Sequence, residues 1–214
     1  MKKTLLLACT FISFATISQA QITKGAILLG GGASYIKQQS KAGTNESDYN
    51  SFHITPAIGV AINEKWVIGA SAGYSKSMSK PSTPMQKDES NGFSAGLFSR
   101  RYTSLGKNFL LFGNGGMQYS RSKREQTFNT NQSRNSISKT ITASVAPGIA
   151  YAISKRFHLE AYLNDLVNLS YNNEEIEDLT FGLKSTSANK NIGLATNFNP
   201  SSSLYIGFRI LLGK

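Results

Sequence analysis

Cysteine is nearly absent: Cys9 is the one thiol in 214 residues. Histidine is almost as scarce, with only His53 and His158. No His-x-x-x-His or Cys-x-x-Cys spacing occurs, so the usual zinc arrangements are excluded, and no metal or other cofactor is expected. Long hydrophobic runs are missing as well. No later stretch reaches the ~18 apolar residues that a spanning helix needs. Acidic residues are few, 12 Asp and Glu against 23 Lys and Arg, which leaves a formal charge of +11. That balance could suggest nucleic acid, but the cations are scattered over loops and turns. No helix is predicted to carry them into a groove, so nucleic acid is not an expected partner. The triplet Gly30-Gly31-Gly32 lies in an apolar strand with no helix after it. It is therefore read as room for close approach and not as a phosphate loop.

What is present begins with an export signal. Lys2 and Lys3 precede a mostly apolar stretch from Thr4 to Thr16, and Ser18-Gln19-Ala20 has the small-x-small form of a cleavage site. Cleavage after Ala20 would leave Gln21 first and remove Cys9, so disulfides would contribute nothing. The competing reading is lipoprotein processing at Cys9, but the apolar run before it falls short of the usual 7–15 residues. Residues 1–20 are thus expected to be a signal peptide and 21–214 a single domain. For an exported chain, the phosphates of lipopolysaccharide are the expected counter-charge.

The expected mature chain reads as two-faced strands. Leu204, Ile206, Phe208, Ile210 and Leu212 share one face, while Tyr205, Gly207 and Arg209 share the other. Phe52, Ile54, Pro56, Ile58, Val60 and Ile62 likewise oppose His53, Thr55, Ala57, Gly59 and Ala61. The second face is small and weakly polar, unlike the wet side of a soluble sheet. Small residues suit the interior of a barrel of about eight strands, which side chains just fill. Strands are expected at 24–38, 51–63, 65–78, 90–104, 107–122, 137–153, 156–172 and 189–213. Tight turns at 63–65, 104–107 and 154–156 alternate with polar loops at 39–50, 79–89, 123–136 and 173–188. Short and long connections alternate in this way in up-and-down membrane barrels. The span 189–213 is read as one strand with a bulge near Pro200; a count of ten, with a strand hidden in 173–186, is the alternative. A soluble lipocalin-like carrier is the rival architecture.

Thr55-Pro56-Ala57-Ile58-Gly59-Val60-Ala61-Ile62 echoes Ala146-Pro147-Gly148-Ile149-Ala150-Tyr151-Ala152-Ile153, and each runs into a charged turn and an aromatic, Trp66 or Phe157. Proline cannot donate to a ladder, so each should mark a bulge. Tyr35, Phe52, Trp66, Tyr74, Phe109, Tyr119, Tyr151, Phe157 and Tyr171 lie near strand ends, as two headgroup-level girdles require.

With these features the chain resembles the small outer-membrane β-barrels of the OmpA/OmpX type, as in Bacteroidota-like outer membranes. The resemblance implies an all-β, closed antiparallel transmembrane barrel in the bacterial outer membrane. It also implies contact with outer-membrane lipid and the barrel-assembly machinery, a monomer, and long loops that meet an unidentified extracellular ligand. The family's C-terminal assembly signal maps to Tyr205, Gly207, Ile210 and Leu212, with aliphatics in the two aromatic places.

Catalysis is not expected. His53 and His158 fall at opposite ends of the barrel, roughly 25 Å apart, and cannot share a relay. A lipid A hydrolase would need His53 with a serine such as Ser51 and an acid such as Glu46 or Asp48. The stronger candidates are charges facing the lumen: Glu160, Arg209 and Arg100. Glu160 shares a face with His158, Tyr162 and Asn164, and an unpaired charge in a narrow barrel is costly. A Glu160–Arg209 pair bridging adjacent strands is read as a plug or, alternatively, as the gate of a narrow pore. Asp165 has lipid-facing parity, so either a bulge beside it or a place above the hydrocarbon is expected. The expected role is a non-enzymatic, membrane-anchored scaffold presenting extracellular loops.

Overall fold

In the computed structural model the described residues are 22–42, 45–80, 87–106, 108–129, 132–163, 166–180, 183–196 and 204–213. The expected signal segment, Asn164, Asp165 and Pro200 lie outside them. All regular structure among the described residues is β. The strands are β1 (Ile27–Ala42), β2 (Asn45–Ala61), β3 (Trp66–Lys80), β4 (Lys87–Ser104), β5 (Phe109–Asn129), β6 (Gln132–Ala152), β7 (Phe157–Leu163), β8 (Val167–Thr180), β9 (Leu183–Thr196) and β10 (Leu204–Leu212).

The segments from β1 to β7 pair antiparallel in chain order, β7 pairs with β10, and β10 returns to β1. These ladders close an eight-stranded barrel. β8 lies above β7 on the same side of β6, and β9 pairs with β8 as β10 pairs with β7. Each couple therefore fills one place in the barrel. The closing ladder runs from Ile27 opposite Leu212 to Gly31 opposite Phe208. Beyond it, β1 pairs with β2 and β9 with β8. Gly31 stands at the parting point with φ 139°, and a Cβ there would lie 2.3 Å from the Thr55 carbonyl oxygen. Only glycine fits that turn of the backbone without strain.

The polar spans expected as loops are instead mostly continuations of the strands. β5 and β6 pair from Phe109 opposite Tyr151 up to Asn129 opposite Gln132, through most of 123–136. β8 and β9 do the same through 173–188. The expectation failed because it demanded an apolar face. A ribbon standing in water satisfies its backbone through the ladder alone, with polar side chains on both sides.

The prolines act differently from one another. At Pro56 the β2–β3 ladder skips from Ile54–Tyr74 to Ala57–Ser71 without changing register, so the expected bulge is absent there. Near Pro147 the neighbouring strand does shift: Gly148 faces Tyr162, whereas Val145 faces Val167. The missing proline N–H is tolerated at both places because the ladder on one side leaves out the proline and the residue before it. Both echoed units end in the same kind of turn. Asn63 Oδ1 accepts from the backbone N–H of Lys65 and Trp66, both at 2.9 Å, and Ser154 Oγ accepts from Phe157 at 3.0 Å. These side chains replace backbone partners and set the tight ends.

The outer surface carries the aromatic girdles. Tyr35 lies opposite Phe52, and Tyr74 opposite Phe93 with ring centroids 5.1 Å apart, on the ribbon side. Phe109 meets Tyr151 at 4.9 Å near the tight turns. The band between is exposed and apolar, including Ile58, Ile68, Leu97, Val145 and Phe208. The buried core lies inside, toward the short turns. It joins Ile22, Leu28, Val67, Tyr102, Leu110 and Phe112 with small alanines.

Candidate functional site

Three charged side chains meet in the lumen just above that core. Period-two alternation turns Arg100 of β4, Glu160 of β7 and Arg209 of β10 inward. Glu160 and Arg209 sit on neighbouring strands, one step diagonal in register. Arg100 reaches Glu160 from across the barrel. Its Nη1 donates to Glu160 Oε1 at 2.7 Å and to Oε2 at 2.8 Å. Arg209 Nε donates to Oε2 at 3.0 Å. Exposure is 2% for Arg100, 2% for Glu160 and 7% for Arg209. The structure thus brings together all three residues singled out from alternation.

Their surroundings complete the layer. Arg100 Nε donates to Asn114 Oδ1 at 3.2 Å, and its Nη1 also reaches Tyr102 Oη at 3.2 Å. Tyr102 Oη donates in turn to Glu160 Oε1 at 3.3 Å. The Arg100 guanidinium carbon lies 4.2 Å from the centroid of the Phe112 ring, and that of Arg209 lies 5.9 Å from Phe98. Arginine suits this place because its planar fork serves a carboxylate and an aromatic face together. Tyr102, Asn114 and Phe112 were not anticipated as members. Their parity with Arg100 and with each other was readable, but adjacency across the lumen was not.

Gly30, opposite Arg209 on β1, makes room for it. A Cβ at Gly30 would fall 2.5 Å from Arg209 Cδ and 2.9 Å from Nη1. The glycine triplet therefore serves close approach, at Gly30 to a side chain and at Gly31 to backbone. His158 is buried below the carboxylate, two residues along β7.

Above the charges the lumen opens into a cavity of about 670 Å³. Arg100, Arg209, Asn114, Phe98 and Tyr162 line its lower part, and His53 and Ser122 its ribbon-side part. His53 and His158 lie on opposite sides of the charge layer. His53 Nε2 lies 2.5 Å from Thr55 Oγ1 on the same face of β2. Asp48 has the opposite parity to His53 and Ser51 on that strand, so the three do not converge. The Glu46 side chain lies outside the described set.

The family model that matches is the autotransporter β-domain, over residues 28–180. No curated protein matches the chain. Among solved structures, the outer membrane protein OprG from Pseudomonas aeruginosa is similar in fold, with a TM-score of 0.54 at 11% identity. The match covers 92% of this chain and 100% of that one. An apolar outer band with girdles at both edges agrees with that match, and the chain belongs to the autotransporter β-domain family as a bacterial outer-membrane β-barrel.

Proposed function

We propose that the protein is a non-enzymatic surface barrel, anchored by its lower half and presenting rigid polar ribbons to the outside. One observation carries this reading: the lumen is crossed by the Arg100–Glu160–Arg209 layer above a packed apolar floor. A filled lumen favours anchoring over conduction. The ribbons are laced by cross-strand ion pairs, Arg124 with Asp88, Lys76 with Glu89 and Arg134 with Asp178. Exposed pairs add only about 0–1 kcal/mol each, so they serve solubility and pairing register more than stability. Arg121 and Lys139 stand directly opposite one another, one step above the Tyr119–Ile141 pair of the upper girdle. Like charges opposed in this way repel; Glu175, 3.4 Å from Lys139 Nζ, offsets part of that repulsion, and phosphates of lipopolysaccharide at that level would relieve the rest.

Surface labelling tests the presentation. A cysteine at Gln126 should react with an impermeant maleimide on intact cells, and protection until lysis would contradict the proposed orientation. The double change Arg121→Gln, Lys139→Gln should lower co-purifying lipopolysaccharide, and unchanged retention would remove that partner. Lipid A mass spectra should be the same with and without the gene; a lost modification would favour the hydrolase. The cavity above the charges supports a second reading, a narrow pore gated at Glu160. Small flickering openings that increase on Glu160→Ala would favour it.

A further inference from the structure

The charges that cross the lumen do not balance. Two guanidiniums face one carboxylate, and the layer keeps one formal positive charge in a low-dielectric place. Arg209 also keeps a donor in hand. Its Nε is committed to Glu160, but its Nη1 is buried and has no hydrogen-bond partner among the described residues. A buried donor of a charged group left without an acceptor is costly, and such groups call for an explanation. Gly30 is what holds the guanidinium in this position, since any larger residue would strike it.

The same guanidinium forms part of the floor of the cavity of about 670 Å³. That volume lies within the range of small-molecule sites. Its wall is hydroxyl- and amide-rich, with Ser71, Ser94, Ser144 and Gln118 able to donate or accept, and Phe98 and Tyr162 give an apolar side. A positive floor, hydroxyl- and amide-rich walls with Arg121 and His53 toward the ribbons, and an aromatic side describe a receptor for a small anion with a compact body.

We infer that the ribbon-side lumen is a binding site for a small carboxylate, whose charged group docks on Arg209 and balances the excess charge of the layer. A carboxylate matches the planar guanidinium with two coplanar acceptor oxygens. Seating it requires the guanidinium to tilt toward the cavity about its Glu160-held Nε. The remainder of the ligand then lies among the serines and against Phe98.

The test uses the folded full-length mature barrel in detergent micelles, labelled with ¹⁵N-arginine. Acetate, acetamide and inorganic phosphate are titrated while the Arg209 guanidinium signal, assigned through Arg209→Lys, is followed. Acetate should produce a saturable shift of that signal, and neutral acetamide should not. The Arg134 signal, from an exposed ion pair on the ribbon, should not follow the same curve. Ser71→Phe, which fills the cavity without touching the Glu160 pairs, should weaken acetate binding by about tenfold or more. Gly30→Ala should do the same by displacing the guanidinium. A saturable response to phosphate but not to acetate would overturn the carboxylate assignment. Equal shifts with acetamide, a linear response, or acetate binding unaffected by Ser71→Phe would overturn the site.

Discussion

Glu160 is the residue on which the lumen turns. Removing it by Glu160→Ala leaves Arg100 and Arg209 facing each other with no counter-charge. Loss of one partner of a buried pair costs about 3–5 kcal/mol. Urea unfolding from liposomes should show a loss of that order, and a change within the ordinary range of a surface substitution would mean that the layer is hydrated and loose. Gly30→Ala should cost less, about 1–3 kcal/mol, because the flexible end of Arg209 gives way first. At this scale alternation made Arg100, Glu160 and Arg209 legible as inward charges. It did not reveal that one carboxylate serves both arginines. That depends on Arg100 reaching across the barrel, a distance set by closure and invisible along any single strand.

The strands carry two kinds of information, and only one was legible. Where they meet lipid, period two marks the faces plainly. Ile206 is 66% and Phe208 52% exposed, while Arg209, on the opposite face of β10, is buried. Phe208 lies opposite Gly31, between the levels of Ile27 and Tyr35, near the middle of the apolar band. Phe208→Arg should therefore cost roughly 2–4 kcal/mol in bilayers. Gly207→Arg should act by overfilling the lumen, and its cost should not track membrane thickness. A spectroscopic label at 206 or 208 should report lipid; lipid contact at 209 instead would shift the whole strand by one residue. Above the membrane the strands continue without an apolar face, so β5, β6, β8 and β9 ran past their expected ends. Their signal was in cross-strand charge, which one strand alone does not show. Asp88 gives it a measurable form: the hydrogen bonds from Arg124 hold its carboxyl below the usual aspartate range, against the opposing effect of burial. A depressed carboxylate adds stability that is present above the unfolded-state value and is lost as pH falls through the lower folded value. An NMR titration should place Asp88 below the ordinary aspartate value, and Arg124→Gln should move it upward. An unshifted Asp88 would mean that the pair does not persist in solution.

At the scale of the molecule, a closed barrel whose lumen is crossed by a charge layer follows from small inward residues, eight strand places and paired inward charges. The architecture was legible because lipid outside and a narrow interior impose one pattern on every strand. The division of 156–172 into β7 and β8, and of 189–213 into β9 and β10, was not legible: each span was expected as a single strand, because its hydrophobic alternation runs on across the join. The proposed anchoring role requires a lumen closed to the passage of solutes. Single-channel recording of the refolded protein in planar bilayers tests it most directly. That role predicts no steady conductance of porin size, and persistent large openings in the unmodified protein would contradict it.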